Sequence, residues 1–212
     1  MCKLRLLSIL IFFGVLACQE VKDIPSGFES HFGPEEDLPV QGFFLDTSSA
    51  DRAPGDSIPG KELFSVLTPL MREEIELYMD SLGLSCFAGK RLHLDSTLEA
   101  YQVYLKYNWY QQQLLLVKDL QQGQWVDHLT VALFYGGEGG QIAQESWLWK
   151  EAGQVKLLQW NSNHGLIPEG GEMVEYQDKA SRFVCLEGRQ FETCTQADSA
   201  GLAARFPMQW KW

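Results

Sequence analysis

The sequence predicts a mainly β (α+β) domain, an antiparallel β-meander of about seven or eight strands with one covering helix. Three observations predict it. Apolar residues recur convincingly at helical spacing in one place, between Thr68 and Gly83. From Lys90 onward the apolar period changes to two. The alternating stretches are joined by short glycine-bearing turns, which connect antiparallel neighbours and are too short for the crossover of a parallel unit.

The chain opens on a basic start (Lys3, Arg5), an apolar run from Leu6 to Val15, and Leu16-Ala17-Cys18. The run is too short to span a bilayer, which takes about 20 apolar residues, and no such stretch follows Cys18. It reads as an export signal. Val15-Leu16-Ala17-Cys18 resembles the lipobox of bacterial lipoproteins. That resemblance covers only the N-terminal twenty or so residues. It implies removal of residues 1–17, lipidation of Cys18 and a membrane anchor through the lipid. Gln19 is not the aspartate that retains many such proteins at the inner membrane. The implied address is therefore the outer membrane, facing the periplasm or the surface.

Residues 18–60 are rich in Pro, Gly, Ser and acids and show little periodicity, so a flexible tether is expected there, with Gly42-Phe43-Phe44-Leu45 as a docking patch. Such a tether has an r.m.s. span on the order of 35 Å. A single globular domain is expected over 61–212. Within it, Thr68 is placed to cap the helix and Pro69 suits its first turn. Met71, Ile75, Tyr78 and Leu82 form its apolar face, Arg72, Glu73, Glu76 and Asp80 its polar one, and Gly83 suits its end.

Strand signals follow. Tyr101, Val103, Leu105, Tyr107 and Trp109 alternate with Gln102, Lys106 and Asn108, and Leu114 to Leu120 is a more continuous apolar run. After a turn at Gln122-Gly123, Trp125 to Tyr135 reads as a long strand, and Gly136 to Gly140 turns it back into Ile142 to Trp149. Ala152-Gly153 is the next turn, followed by Val155 to Trp160 and by strands at Met173–Tyr176, Arg182–Leu186 and Gln190–Thr195. The ending Phe206 to Trp212 is unusually aromatic and suits either sheet packing or a contact surface.

The formal charge of −11 becomes −13 once Lys3 and Arg5 are removed. Such a balance excludes a basic stripe for nucleic acid and disfavours electrostatic adhesion to anionic lipid. More than half of it lies in residues 19–60, where nine acids face only Lys22 and Arg52. With Cys2 removed and Cys18 acylated, Cys86, Cys185 and Cys194 remain. A two-residue turn at Glu187-Gly188 sets Cys185 opposite Gln190 and leaves Cys194 four residues, roughly 13 Å, further along. A disulfide needs Cα atoms within about 7 Å, so three buried thiols are expected.

No catalytic constellation emerges, and neither a metal nor a cofactor is expected. Gly55-Asp56-Ser57-Ile58-Pro59-Gly60-Lys61 nearly spells a phosphate-binding loop. Glu62, however, stands where Ser or Thr would hold Mg²⁺, and no strand precedes it. The glycines at 136–140 lead into a strand, not a helix. His31, His93, His128 and His164 show no ligand spacing. Convergence of Asp127, His128, Glu138 and His164 would be needed for an envelope hydrolase, the rival reading.

The aromatic residues are the stronger signal. Trp147 and Trp149 share one strand face, and with Trp109 and Trp125 they form a candidate binding face, since exposed aromatics stack on sugars and anchor protein interfaces. The expectation is a membrane-anchored binding or interaction module for an envelope protein, a glycan or a small ligand, with a purely structural envelope role as a further alternative. Asp56-Ser57-Ile58, Asp80-Ser81-Leu82, Asp95-Ser96-Thr97 and Asp198-Ser199-Ala200 resemble the O-glycosylation sequon of Bacteroidota. With lipobox, acidic tether and meander, the chain is similar to the small envelope lipoproteins of that phylum.

Overall fold

The computed structural model describes residues 27–45, 55–76, 84–107, 110–137 and 140–210. The signal segment with Cys18, the C-terminal half of the expected helix with Tyr78, Leu82 and Gly83, Trp109, Glu138 and Trp212 lie outside these residues.

The fold is mostly β. After a short 3-10 turn (Glu29–His31), the chain forms β1 (Glu35–Asp37), β2 (Gln41–Phe43), α1 (Gly60–Val66), α2 (Pro69–Glu76), β3 (Ser85–His93), β4 (Leu98–Tyr107), β5 (Tyr110–Asp119) and β6 (Gln124–Gly137). It continues through β7 (Gly140–Glu151), β8 (Gln154–Glu169), β9 (Glu172–Glu187), β10 (Gln190–Thr193) and α3 (Ser199–Arg205). Strands β3 to β10 pair consecutively and antiparallel, as the alternation and short turns require. The ten strands form one sheet, because β1 adds in parallel to β3 and β2 adds to β7. Two expected strands, at Met173 and at Arg182, are one continuous β9.

The sheet folds over on itself. Strand β6 pairs with β5 from Gln124 to Tyr135, but with β7 only from Leu133 to Gly137, so the two part beyond Leu133. An interior core then lies between the halves: Leu92, Leu98, Leu115 and Val131 on one side, Leu148, Leu157, Val184 and Leu186 on the other. The far end is tied shut, since the Phe191 N–H donates to Asp127 Oδ2 (2.7 Å) and Arg189 pairs with Asp119 (2.9 Å).

A second core covers the outer face of β3–β6. Leu63, Val66, Met71 and Ile75 from α1 and α2 pack there on Tyr101, Val103, Leu114 and Leu116. The cap expected at Thr68 is present, its Oγ1 accepting from the Met71 N–H (3.3 Å). Among the described residues three α-helices stand where one was expected. For α1 the spacing of Leu63, Val66 and Leu67 was there to be read; for α3 the cue was Asp198, whose carboxylate accepts from the Gly201 N–H (3.0 Å).

Part of the expected tether is built into the domain. Phe28 is buried in the outer core, Phe43 fills the interior one, and Ile58 is buried beside the Ser57–Phe87 bridge. Strands of three residues are too short for any periodicity to mark them; they form because β3 and β7 already present edges.

The cysteine expectation is overturned. Cys185 and Cys194 form a disulfide with Cα atoms 5.8 Å apart, and Cys86 is the free thiol among the described residues, buried and pushed up to about 12 by desolvation. The turn lies one residue later than expected, at Gly188-Arg189, with Gly188 at φ +62. Glycine at the first of two turn residues suits the mirror-image hairpin turn that follows strand twist. Glu192 therefore faces Cys185, and Cys194 is its same-face diagonal neighbour, within reach.

Candidate functional site

Two surfaces carry the aromatic and apolar residues, one closed and one open. The closed one is the outer face of β7 and β8. Trp147 and Trp149 do share it, joined by Leu158, Trp160 and Phe183. The C-terminal segment covers it. Phe206 packs on Trp149 (4.8 Å between centroids) and stacks on Trp147 (5.5 Å), and Leu202 of α3 lies against the same cluster. The tail is clipped in place by polar contacts. Trp160 Nε1 donates to Phe206 O (2.8 Å), Trp147 Nε1 to Pro207 O (3.2 Å), and the Gln209 N–H to Glu145 Oε2 (2.6 Å). Burial raises the Glu145 carboxyl, partly offset by the backbone N–H groups of Gln209 and Trp210. Trp149 is only 2 % exposed, so it belongs to no open face.

Trp125 is on the other side of the molecule. It packs on Tyr101 (5.1 Å) and Phe28 (5.3 Å) beneath the N-terminal segment, with the Lys118 ammonium 5.9 Å from its ring. A common face of Trp125, Trp147 and Trp149 does not form, because the fold in the sheet turns β6 away from β7. Of the hydrolase residues that the structure describes, Asp127 and His164 do not converge either. Asp127 binds Phe191 at the closed end, whereas His164 pairs with Glu175 (2.5 Å) on the β8–β9 hairpin. Among the described residues no group of three or more His, Cys, Asp or Glu is placed to hold a metal ion. No described helix is long and apolar enough to cross a membrane.

The open surface lies at the far end of the long hairpin. Strand β7 pairs with β8 only as far as Gly140↔Gly165, so Leu166–Glu175 runs on as a two-stranded ribbon. Registry fixes what it shows on the side of β7–β9 that carries Leu148, Leu157 and Val184. One cross-strand row reads Tyr135, Ile142, Asn163, Asp178; the next reads Gly137, Gly140, Gly165, Tyr176; the last reads Ile167, Val174. Residues two apart on a strand share a face, so these rows form one surface. Its floor is three glycines in a line. Tyr135, Ile142, Ile167, Val174 and Tyr176 rise around that floor and are all exposed. On the opposite side of the ribbon Leu166 (47 %) and Met173 (60 %) are exposed as well. Contiguous apolar side chains left in water are a general feature of interaction surfaces.

Sequence reasoning fixed on tryptophans and missed this trough. Its signal was in the chain: Gly137, Gly140 and Gly165 fall on one row once strand registry is known, and registry depends on non-local pairing. A comparison with protein-family models, curated proteins and solved structures finds no match to this chain.

Proposed function

We propose that this is a lipid-anchored envelope protein that works by binding, with the glycine-floored trough as the surface that receives a protein partner. The observation that carries the reading is the exposure of Tyr135, Ile142, Ile167, Val174 and Tyr176 on one face around Gly137, Gly140 and Gly165. A floor without side chains lets a partner's backbone approach closely, and tyrosines at the rim supply rigid contact area with a hydrogen-bonding tip. The lipobox at Val15–Cys18 supports attachment at the outer membrane through Cys18, on the periplasmic or the surface side.

The test is photocrosslinking in the protein's own membranes, with a photoreactive residue at Ile167 or Tyr176 and a control at Glu73 on α2. The expected result is a discrete adduct with another envelope protein from the two trough positions and none from Glu73. Equal labelling from all three, or none from the trough, contradicts the reading.

A further inference from the structure

The edge of β9 is open for most of its length. Strand β10 covers only Val184–Glu187, and no described strand pairs on that side of Glu172–Arg182. All eleven residues from Glu172 to Arg182 are exposed. An exposed strand edge of this length is a template for another strand, and natural proteins blunt such edges unless they use them.

We propose that this edge pairs with the same edge of a second copy, β9 to β9 antiparallel, about a two-fold axis at Gln177. Backbone direction permits it. The Cys194 N–H donates to Phe183 O (3.0 Å), so Phe183 turns its backbone groups away from β8. The β8–β9 register runs without a shift, so Ser181, Lys179, Gln177, Glu175 and Met173 do the same. A pairing centred on Gln177 sets these odd-numbered residues opposite one another, and their N–H and C=O groups meet.

Charge selects that centre. With Gln177 on the axis, Glu172 lies opposite Arg182 and Glu175 opposite Lys179, each twice by symmetry, and Val174 lies opposite Ala180. Opposite charges directly across an antiparallel pair stabilise it, and like charges destabilise it. Centring on Asp178 or Lys179 opposes each to its own copy. Centring on Glu175 opposes two glutamates and sets Glu172 against Asp178. Centring on Tyr176 opposes every charge to a neutral residue. Within Glu172–Arg182, the Gln177 register is the one of these that pairs every charge but Asp178 with its opposite. Even-numbered residues of β9 face the interior side of the sheet, as Val184 and Leu186 do. Each therefore meets an even-numbered residue of the copy, and both troughs open on the same side of the joined sheet.

The pairing builds on the hairpin being an interaction element, and its test can fail separately from that reading. Across a hydrogen-bonded antiparallel pair the Cα atoms are about 5.5 Å apart, which suits a disulfide. The full chain carrying Gln177→Cys, oxidised mildly in its own membranes, is expected to run as a disulfide-linked dimer on a non-reducing gel. Lys179→Cys, four residues from its own copy and so roughly 13 Å away, is not. Adding Lys179→Glu to Gln177→Cys sets like charges against each other twice and should cut the linked fraction at least tenfold. Adding Glu175→Lys as well restores it. No dimer from Gln177→Cys, equal dimer from Lys179→Cys, or no response to the charge changes overturns the pairing. A trough adduct with a different envelope protein would then leave the binding reading standing.

Discussion

Replacing Trp149 by alanine is expected to destabilise the fold by about 3–5 kcal/mol, the range for a buried aromatic truncated to alanine. The side chain is 2 % exposed and sits between the sheet and Phe206. Losing it also removes the seat of the tail that Trp160, Trp147 and Glu145 hold by hydrogen bonds. Domains of this size are stable by about 5–15 kcal/mol, so the change consumes a large share. Trp147→Ala removes a half-buried ring and should cost about 1–2 kcal/mol. Urea denaturation measures both. If Trp149→Ala unfolds with the wild-type midpoint, the outer face is not closed by the tail and the tryptophans return as a binding surface.

The second large effect is expected at Arg91. Its guanidinium makes two 2.8 Å hydrogen bonds to the carboxylate of Glu99, which is buried and also accepts from the Tyr101 hydroxyl (2.8 Å). Burial works to raise the Glu99 carboxyl, but the hydrogen bonds from Arg91 and Tyr101 and the Arg91 charge outweigh it and hold the group below its ordinary range. Arg91→Met leaves the carboxylate buried without its cation, and about 3 kcal/mol of stability should be lost at pH 7. The pH dependence changes with it. In the wild type the Glu99 contribution is fully present above the unfolded carboxyl pKa of about 4.3 and is lost as pH falls through the lower folded value. In Arg91→Met burial still raises the group while the Tyr101 hydrogen bond and the Lys118 charge still lower it, so the folded value lies above the wild-type one, and the deficit shrinks as pH falls from 7 through it. Denaturation across that range checks it; a deficit independent of pH would mean that Glu99 is not ionised beside Arg91. Arg91→Met combined with Glu99→Gln should recover part of the loss.

What the sequence made legible was what local chemistry decides. Alternation from Tyr101 onward, the Ala152-Gly153 turn with φ values of 50 and +81, and the cap at Thr68 each depend on a few neighbouring residues. What it hid depends on pairing at a distance. The three-residue strands β1 and β2 exist only against β3 and β7. The disulfide hinged on a turn placed one residue along, which moves every facing pair on β9 and β10 by two. Trp125 and Trp147 fell on opposite sides because β6 and β7 separate, and nothing in a strand's own residues announces where a sheet folds. The tail's aromatic residues suited a surface or a cover equally; only Glu145 and the two indole N–H groups beneath them made it a cover.

The measurement that bears most directly on an anchored binding protein is native mass spectrometry of the full chain, extracted in mild detergent from its own membranes. The account predicts a polypeptide beginning at Cys18, heavier than residues 18–212 by two or three acyl chains, and travelling with a protein partner. A chain that retains Met1, or begins elsewhere without acyl mass, and that travels alone would contradict it.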